Sequence, residues 1–359
     1  MRSVVTILLA SSLVGEAQQN GRVCAQANRI KVVAPGRVKA VSGNRGDVAY
    51  SWVSAGDAHL KVTEQDDWCL LIATRRETPA GAELAVTLPR RIRFSKLESL
   101  SGPVTARYLD GDVEAWTPAG AVEMDEIGGN VSARTGGGAM TFGMVKGSLR
   151  CLSGGGSIKV ARLGREGVLE TAGGEIVVGE AGGWLRLSTS GNIRVERAAQ
   201  DVFAHSAQGG IEVGESGGMV TAETSSGGIQ VGKARGVRCE SGGGSIQLRR
   251  VAGSVRASTA VGSLFVGLDP SQPLESSFLG TGKGDITVFV PSNLAVTVKA
   301  MNEAAGTTGG VLSEFREIQL LPVQAGRGGL SLAQGSLNGG GPALMLSAYG
   351  GTISIRRQR

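Results

Sequence analysis

The chain has 359 residues, of which 58 are glycine, 41% are hydrophobic and 4% are aromatic. A chain of this length can bury a large core, and its ordinary hydrophobic content argues against the disorder that so much glycine would otherwise suggest. The net charge of +6 comes from Lys and Arg residues spread along the chain, with few aromatic rings to stack on bases. We therefore expect no nucleic-acid partner; an acidic glycan or membrane surface suits such a chain better.

Residues 1–17 are typical of a secretory signal peptide. Arg2 gives a positive start, Val4–Val14 is an apolar run, and Ala17 is a small residue suited to cleavage. Cleavage after Ala27 is an alternative. The run is too short to cross a bilayer, and no later apolar run approaches the length of about 18 residues that crossing requires. We expect an exported mature chain without a transmembrane segment, located in the periplasm, on the cell surface or in the medium.

Residues 18–100 predict an N-terminal β cap with irregular first coils. The segment has strand-like runs, larger side chains such as Trp52 and Trp68, and a Pro-Gly turn at 35–36. Such a cap covers the end of a repeat array and blocks its edges. The predicted strands lie at Ile30–Val41 (interrupted by the turn), Val48–Val53, His59–Thr63, Cys69–Thr74 and Glu83–Leu88.

Residues 101–290 contain one phrase repeated many times. It is clearest at Gly217–Val231, where a Gly-x-Val-x-Ala-x-Thr half is followed by a Gly-x-Ile-x-Val half. The leading apolar residues recur every nine positions from Val104 to Ile158, and the Ile half then recurs every 17 or 18 positions to Leu264. A fixed period over this length indicates a repeat architecture.

Within each half, apolar and polar residues alternate with a period of two, which is typical of a strand with one buried face. Glycines between the halves are expected to supply the backbone conformations of tight corners. The fold class is therefore predicted to be all-β, a parallel β-helix (β-solenoid) with about 18 residues per coil and capping strands at both ends. The pattern leaves open whether each coil has two or three sheets, and physics alone does not give the handedness. The positions expected to point inward are Ala133, Cys151, Leu169, Leu187, Ala204, Ala222, Cys239 and Ala257.

A hydroxyl residue stands two positions after each of these inward residues. We interpret this set as a structural ladder at a corner, in which each hydroxyl bonds local backbone groups. So many equivalent hydroxyls argue against the alternative, a single catalytic serine. The members are Thr135, Ser153, Thr171, Thr189, Ser206, Thr224, Ser241 and Thr259, with Thr281 as a looser ninth.

Two charged columns are expected on the outward face of the same strands. The basic column holds Arg150, Arg186, Arg238 and Arg256, and the acidic column holds Glu170, Glu223 and Glu240. A solvated sheet with weak ion pairs is the simplest interpretation. The alternative is a surface that binds glycans or, as in polysaccharide lyases, acts on them.

The four cysteines raise the question of disulfides in an exported chain. Cys151 and Cys239 fall in one column five coils apart, about 24 Å at strand spacing, which is too far to bridge. We expect both to be buried thiols. Cys24 and Cys69 lie in the cap and could pair, but the sequence does not decide this.

The sequence suggests no cofactor, metal or catalytic residue. His59 and His205 are expected on the surface, and no Gly-x-Ser-x-Gly elbow occurs. The Gly-Gly-x-Gly-x-Asp phrase of calcium-binding β-rolls does not recur.

Residues 291–359 predict C-terminal strands and a cap. We expect a strand at Leu294–Val298, a loop at Asn302–Gly310, and either a strand or a short helix at Ser313–Leu321. Gly326–Pro342 is glycine-rich and is expected to be a mobile segment, and Ala343–Ile355 gives the closing strands.

The order of four phrases resembles the bacterial putative-adhesin β-helix domain family. These are VTLPRRIRF (Val86–Phe94), the recurrent SGGxIxV, GKGDITVFVPSNLAVTV (Gly282–Val298) and GGGPALMLSAYGGTISIRR (Gly339–Arg357). The resemblance implies a right-handed parallel β-helix exported to the envelope, and it supplies no catalytic residues. It favours a non-enzymatic adhesin-like protein that binds or scaffolds through an envelope glycan or another surface protein. The alternative is a carbohydrate-active β-helix enzyme.

Overall fold

The computed structural model describes residues 5–10, 16–55, 58–75, 81–303, 310–321 and 330–358. The chain divides into two compact units, Met1–Gly182 and Gly183–Arg359, called the N-terminal and C-terminal units below. Every regular element in the described ranges is a β-strand. It follows that this part of the chain offers no helix long and apolar enough to cross a membrane.

The N-terminal unit contains eighteen strands within its described residues. They are β1 (Val5–Ala10), β2 (Glu16–Val23), β3 (Arg29–Ala34), β4 (Arg37–Gly43), β5 (Val48–Ala55), β6 (Ala58–Gln65), β7 (Trp68–Arg75), β8 (Glu83–Pro89), β9 (Phe94–Ser99), β10 (Val104–Arg107), β11 (Asp112–Thr117), β12 (Val122–Asp125), β13 (Val131–Thr135), β14 (Met140–Val145), β15 (Leu149–Ser153), β16 (Ile158–Leu163), β17 (Gly167–Thr171) and β18 (Ile176–Ala181).

These strands form two sheets, and from β9 onward successive strands alternate between them. The first sheet has the order β1-β6-β7-β3-β9-β11-β13-β15-β17. The second has the order β2-β5-β8-β4-β10-β12-β14-β16-β18. At the end of each sheet that begins with β1 or β2, the first two pairings are antiparallel. The remaining pairings are parallel. All five predicted cap strands are present, with the first divided at Pro35-Gly36 into β3 and β4.

Equivalent residues of successive parallel strands lie opposite each other. Val104 pairs with Val122 and Val131 with Leu149, so like side chains line up along each sheet. The predicted inward residues Ala133, Cys151 and Leu169 are at most 1% exposed. This regular pairing begins with β9, because Phe94 already pairs with Asp112, one strand before the predicted start at 101.

The C-terminal unit contains a further eighteen strands within its described residues. They are β19 (Leu185–Thr189), β20 (Ile193–Ala198), β21 (Val202–Ser206), β22 (Ile211–Ser216), β23 (Met219–Thr224), β24 (Ile229–Ala234), β25 (Gly236–Ser241), β26 (Ile246–Val251), β27 (Val255–Val261), β28 (Leu264–Leu268), β29 (Ser277–Lys283), β30 (Ile286–Val290), β31 (Val296–Asn302), β32 (Val311–Ser313), β33 (Gln319–Leu321), β34 (Ser331–Leu337), β35 (Ala343–Ala348) and β36 (Ile353–Arg357).

These strands also form two sheets. The first has the order β19-β21-β23-β25-β27-β29-β35-β31-β34-β33, and the second β20-β22-β24-β26-β28-β30-β36-β32. The last strands, β35 and β36, therefore lie inside the stack. Leu279 pairs with Leu346 and Ile286 with Ile353, so the chain passes outward to β34 and then returns.

One C-terminal expectation needs correction, and one open choice is decided. Gly326–Pro342 was expected to be mobile, but Ser331–Leu337 pairs antiparallel with β31 along seven residues and buries Ala333 and Leu337; residues 326–329 lie outside the described ranges. Glycine content concealed this short apolar alternation. Ser313–Leu321 contains no helix: β32 ends at its start, β33 lies at its end, and a turn joins them. Residues 304–309 of the expected loop at Asn302–Gly310 lie outside the described ranges.

Corner glycines are required mainly because stacked corners approach one another closely. A Cβ atom on Gly138 would lie 2.0 Å from the carbonyl oxygen of Gly120, and one on Gly156 would lie 2.0 Å from that of Gly138. In the C-terminal unit, a Cβ atom on Gly227 would lie 2.1 Å from the carbonyl oxygen of Gly209. None of these glycines has a φ in the left-handed region. The expectation that they supply special corner conformations is therefore wrong for them.

The hydroxyl residues bond these same glycines. Thr135 Oγ1 donates to Gly120 O at 2.9 Å and accepts the N–H of Gly138 at 3.0 Å. Thr224 Oγ1 likewise donates to Gly209 O at 2.9 Å and accepts the N–H of Gly227 at 3.1 Å. All nine predicted members are at most 6% exposed. Earlier members, which the sequence analysis missed, are Ser99 and Thr117.

The N-terminal cap is crosslinked. Cys24 and Cys69 form a disulfide across 45 residues, which settles the pairing that the sequence left open. Beside it, Arg91 donates to the carbonyl oxygens of Cys24 and Ala27 at 3.1 and 3.2 Å. Cys151 and Cys239 are free and buried, as expected.

The corner packing can be tested at two adjacent glycines of one triplet. We expect Gly156→Ala to lower the free energy of unfolding by ~1–3 kcal/mol or more, because its methyl group meets a backbone carbonyl. Gly155→Ala is the matched control, since a Cβ atom there has nothing within 4 Å; it should stay within about 1 kcal/mol of wild type. Urea denaturation measures both, and equal losses would contradict the close-approach explanation.

The disulfide can be tested with reductant. Closing a 45-residue loop stabilises a fold by about 4 kcal/mol in the chain-entropy description. We expect dithiothreitol to lower the Tm of the wild type and of Cys151→Ala alike. A Cys24→Ser/Cys69→Ser variant should start at the lower Tm and not respond. A wild-type Tm that ignores reductant would show that the bond is absent or energetically silent.

Candidate functional site

Three of the four residues of the predicted basic column, Arg186, Arg238 and Arg256, lie on the outward face of the first sheet in the C-terminal unit. The register places Arg186, Phe203, Thr221, Arg238 and Arg256 in one row. The column is thus interrupted, because two uncharged residues separate Arg186 from Arg238. The Arg186 guanidinium lies over the Phe203 ring, 5.7 Å from its centroid, so this row combines cations with an exposed aromatic surface.

The predicted acidic column forms the neighbouring row. His205, Glu223, Glu240 and Ser258 are successive register partners and line an open cavity of about 500 Å³. His205 Nδ1 lies 4.0 Å from Glu223 Oε2. Arg238 donates to Glu240 Oε1 from Nη2 at 3.1 Å and from Nε at 3.3 Å. The structure therefore brings two carboxylates and an imidazole together on consecutive strands.

In the N-terminal unit, the predicted residues Arg150 and Glu170 lie in two adjacent outward rows of the first sheet. Arg150 has Val168 as its partner on the next strand, and Glu170 has Leu152 on the preceding one. Both rows continue to β9: one through Ser132 and Glu114 to Lys96, the other through Arg134 and Trp116 to Glu98.

The cluster at that end of the rows was not evident from the sequence. Lys96 Nζ lies 2.9 Å from Glu114 Oε1 and 3.3 Å from Glu98 Oε1, and Lys31 Nζ lies 3.4 Å from Glu98 Oε2. The hydrogen bond to Glu114 raises the pKa of Lys96 above its ordinary value. Trp116 stands beside this network and is 41% exposed. One signal for this site was present in the sequence: Trp116 has the outward phase of the alternation and lies 18 residues before Arg134.

The ladder hydroxyls lie at the corners of these strands and face the backbone. Ser206, for example, donates to Gly191 O and accepts the N–H of Gly209, both at 2.8 Å. A hydroxyl bonded on both sides to backbone groups serves the local backbone, as a structural ladder requires. The two free thiols are unsuited to chemistry, because burial raises the pKa of Cys239 to about 12 and that of Cys151 well above its usual value.

No group of three or more His, Cys, Asp or Glu side chains that could hold a metal ion occurs within the described ranges. The outward rows are the remaining candidates for function. They offer paired and unpaired charges, open cavities and exposed aromatic rings on fully paired strands, which suits the binding of an extended ligand.

The fold defines an all-β protein with long parallel sheets, consistent with a β-solenoid. No family model and no curated protein matches the chain. A solved structure of a putative cell adhesion protein from Clostridium sporogenes ATCC 15579 aligns with 96% of this chain and 100% of its own at 11% identity. The TM-score is 0.22, which is too low to support an argument about fold or function.

Proposed function

We propose that this chain is a non-enzymatic, exported, adhesin-like protein that binds or scaffolds at the cell envelope. In this proposal both units consist of right-handed β-solenoid coils of about 18 residues, with capping strands at the N- and C-terminal ends. The observation that carries it is the in-register pairing, which repeats outward side chains along each sheet. Such rows present chemically similar groups at strand spacing, about 4.8 Å, to a ligand that is itself extended.

Charge supports an acidic glycan as the ligand. The net charge of +6 attracts polyanions, and Arg238 and Arg256 are partners on adjacent strands. Guanidinium groups bind carboxylates and sulfates through paired hydrogen bonds.

Two features support export. The first seventeen residues have the pattern of a signal peptide, and the cap has a disulfide between Cys24 and Cys69. Disulfides of this kind form in oxidising compartments and are rare in the cytosol.

The binding function is tested by removing the basic row. We expect an Arg186→Ala/Arg238→Ala/Arg256→Ala variant to bind acidic envelope glycans about tenfold more weakly, a loss of about 1.4 kcal/mol. The matched control is Arg194→Ala/Arg249→Ala/Arg250→Ala, which removes the same charge from the second sheet of the same unit. A glycan array followed by titration of the strongest ligand measures both. Equal loss in the two variants would show only net-charge attraction, and no glycan binding by the wild type would refute the proposal.

One observation favours a second function, a carbohydrate-active enzyme. Glu223 and Glu240 lie on adjacent strands beside His205, and carboxylates about 5–9 Å apart are what glycoside hydrolysis uses. The proposed binding function predicts no turnover when the protein is incubated with pectin and other uronate polymers. Reducing ends and the ultraviolet absorbance of unsaturated uronates report cleavage. Turnover that is lost in Glu240→Gln would establish the enzyme instead.

A further inference from the structure

Trp116 is an exposed aromatic ring in the middle of a sheet. Its strand β11 buries Ala115 and Thr117 on either side, so the indole belongs to the outward phase and takes no part in the core. An exposed aromatic ring offers a ligand a large apolar contact surface. The strand that carries the ring is held in place, because it is paired on both edges, with β9 and β13.

The charges on one side of Trp116 compensate one another. Lys96 bridges Glu114 and Glu98, and Lys31 holds Glu98 a second time. The four side chains are only 20–41% exposed. Because two lysines face two glutamates, this network carries no net charge. Its carboxylate oxygens have lone pairs left over to accept hydrogen bonds from hydroxyl groups.

The charge on the other side is not compensated. Arg134 is the partner of Trp116 on the next strand, and it forms no ion pair with any residue in the described part of the chain. Arg150, one strand further, is equally without an acidic partner there. An anion that binds at Arg134 therefore displaces no existing ion pair.

The space between these groups is of suitable size. Lys96, Glu98, Glu114, Trp116, Ser132 and Arg134 line a shallow cavity of about 360 Å³. A pyranose ring has an apolar face of C–H groups that packs flat on an indole, and hydroxyl groups around its edge that suit polar walls. A carboxylate on the ring would accept two hydrogen bonds from the planar guanidinium group of Arg134, whose geometry matches that of a carboxylate.

We propose that Trp116 and Arg134 form a subsite for a carboxylated pyranose, the acidic sugar of a uronate- or sialate-containing glycan. The indole packs on the sugar face, the guanidinium binds the carboxylate, and the Lys96 network accepts hydrogen bonds from sugar hydroxyls. The inference rests on the proposed binding function and names its ligand class. It also places the subsite in the N-terminal unit, in the rows that continue to Arg150 and Glu170.

The experiment compares three probes by titration calorimetry and tryptophan fluorescence: oligogalacturonate, sialyllactose and a neutral cello-oligosaccharide. We expect one of the two acidic probes to bind the wild type about tenfold or more tightly than the neutral probe, and which one it is identifies the source of the carboxylate. Trp116→Ala should weaken that binding about tenfold and remove the fluorescence change. Arg134→Ala should remove the preference for acidic over neutral probes, while Trp116→Phe should retain part of the affinity.

Matched controls are Trp184→Ala, another exposed tryptophan, and Arg107→Ala, an exposed arginine on the second sheet of the same unit; both should bind as the wild type does. Unchanged melting temperatures show that the variants fold. Equal affinity for acidic and neutral probes, wild-type binding by Trp116→Ala, or no binding of any probe by the wild type would overturn the subsite. If other envelope glycans still bind through the Arg186 row, the subsite fails and the proposed function stands. If a probe bound at Trp116 is cleaved, the subsite stands and the proposed non-enzymatic function fails.

Discussion

The structure depends on how closely its corners stack. Gly138, Gly156 and Gly227 each lie against the carbonyl oxygen of the equivalent corner glycine on the preceding strand of the stack, at a distance where a Cβ atom would overlap it. The same carbonyl accepts a hydrogen bond from a buried Ser or Thr hydroxyl, as Gly138 O does from Ser153 at 3.2 Å. The hydroxyl in turn accepts the N–H of the glycine three residues on. Corner backbone groups that would otherwise be buried without partners are thus satisfied from one coil to the next.

This constraint explains the composition and fixes the register. A slip of one residue would turn every buried side chain outward and would place a hydroxyl residue where only glycine fits. The interior between the two sheets accepts small residues such as Ala204 and Ala222 beside each Val and Ile. The scarcity of aromatic residues follows, and most of the large rings lie in the cap or on the outer surface. Because the register is fixed, outward side chains must also form rows, and function can be built on those rows.

The sequence predicted the features that repeat. Period and alternation predicted the strands, the buried column at Ala133 and Cys151 and nine members of the hydroxyl ladder, but not Ser99 and Thr117. They did not reveal why glycine is needed, because close approach between coils and a left-handed φ leave the same mark in a sequence. The return of β35 and β36 into the stack was hidden as well: Ile353 pairs with Ile286, 67 residues away, so no period connects them. Pairing of Cys24 with Cys69 required knowing that β3 and β7 are neighbours.

The candidate site was missed for a related reason. Trp116 lies within the regular repeats, but Lys96 and Glu98 precede position 101, where the repeats were expected to begin. Only the pairing of β9 with β11 joins them. The sequence revealed the charged columns because their residues recur. A solvated sheet produces the same recurrence, so recurrence alone does not indicate a binding site.

The predicted charged columns and the Trp116 site differ in how their arginines are paired. Arg238 already donates twice to Glu240, and Arg194 lies 3.0 Å from Glu212, so an anionic ligand at either residue must first displace an existing partner. Lys96 likewise already forms ion pairs with Glu114 and Glu98. Arg134 has no such partner in the described chain, and it lies beside Trp116, which is 41% exposed. A ligand that brings both an apolar face and a negative charge gains from both groups at once without first breaking an ion pair. For this reason the strongest binding contribution is expected from a position that does not repeat, on a frame whose repetition holds it rigid.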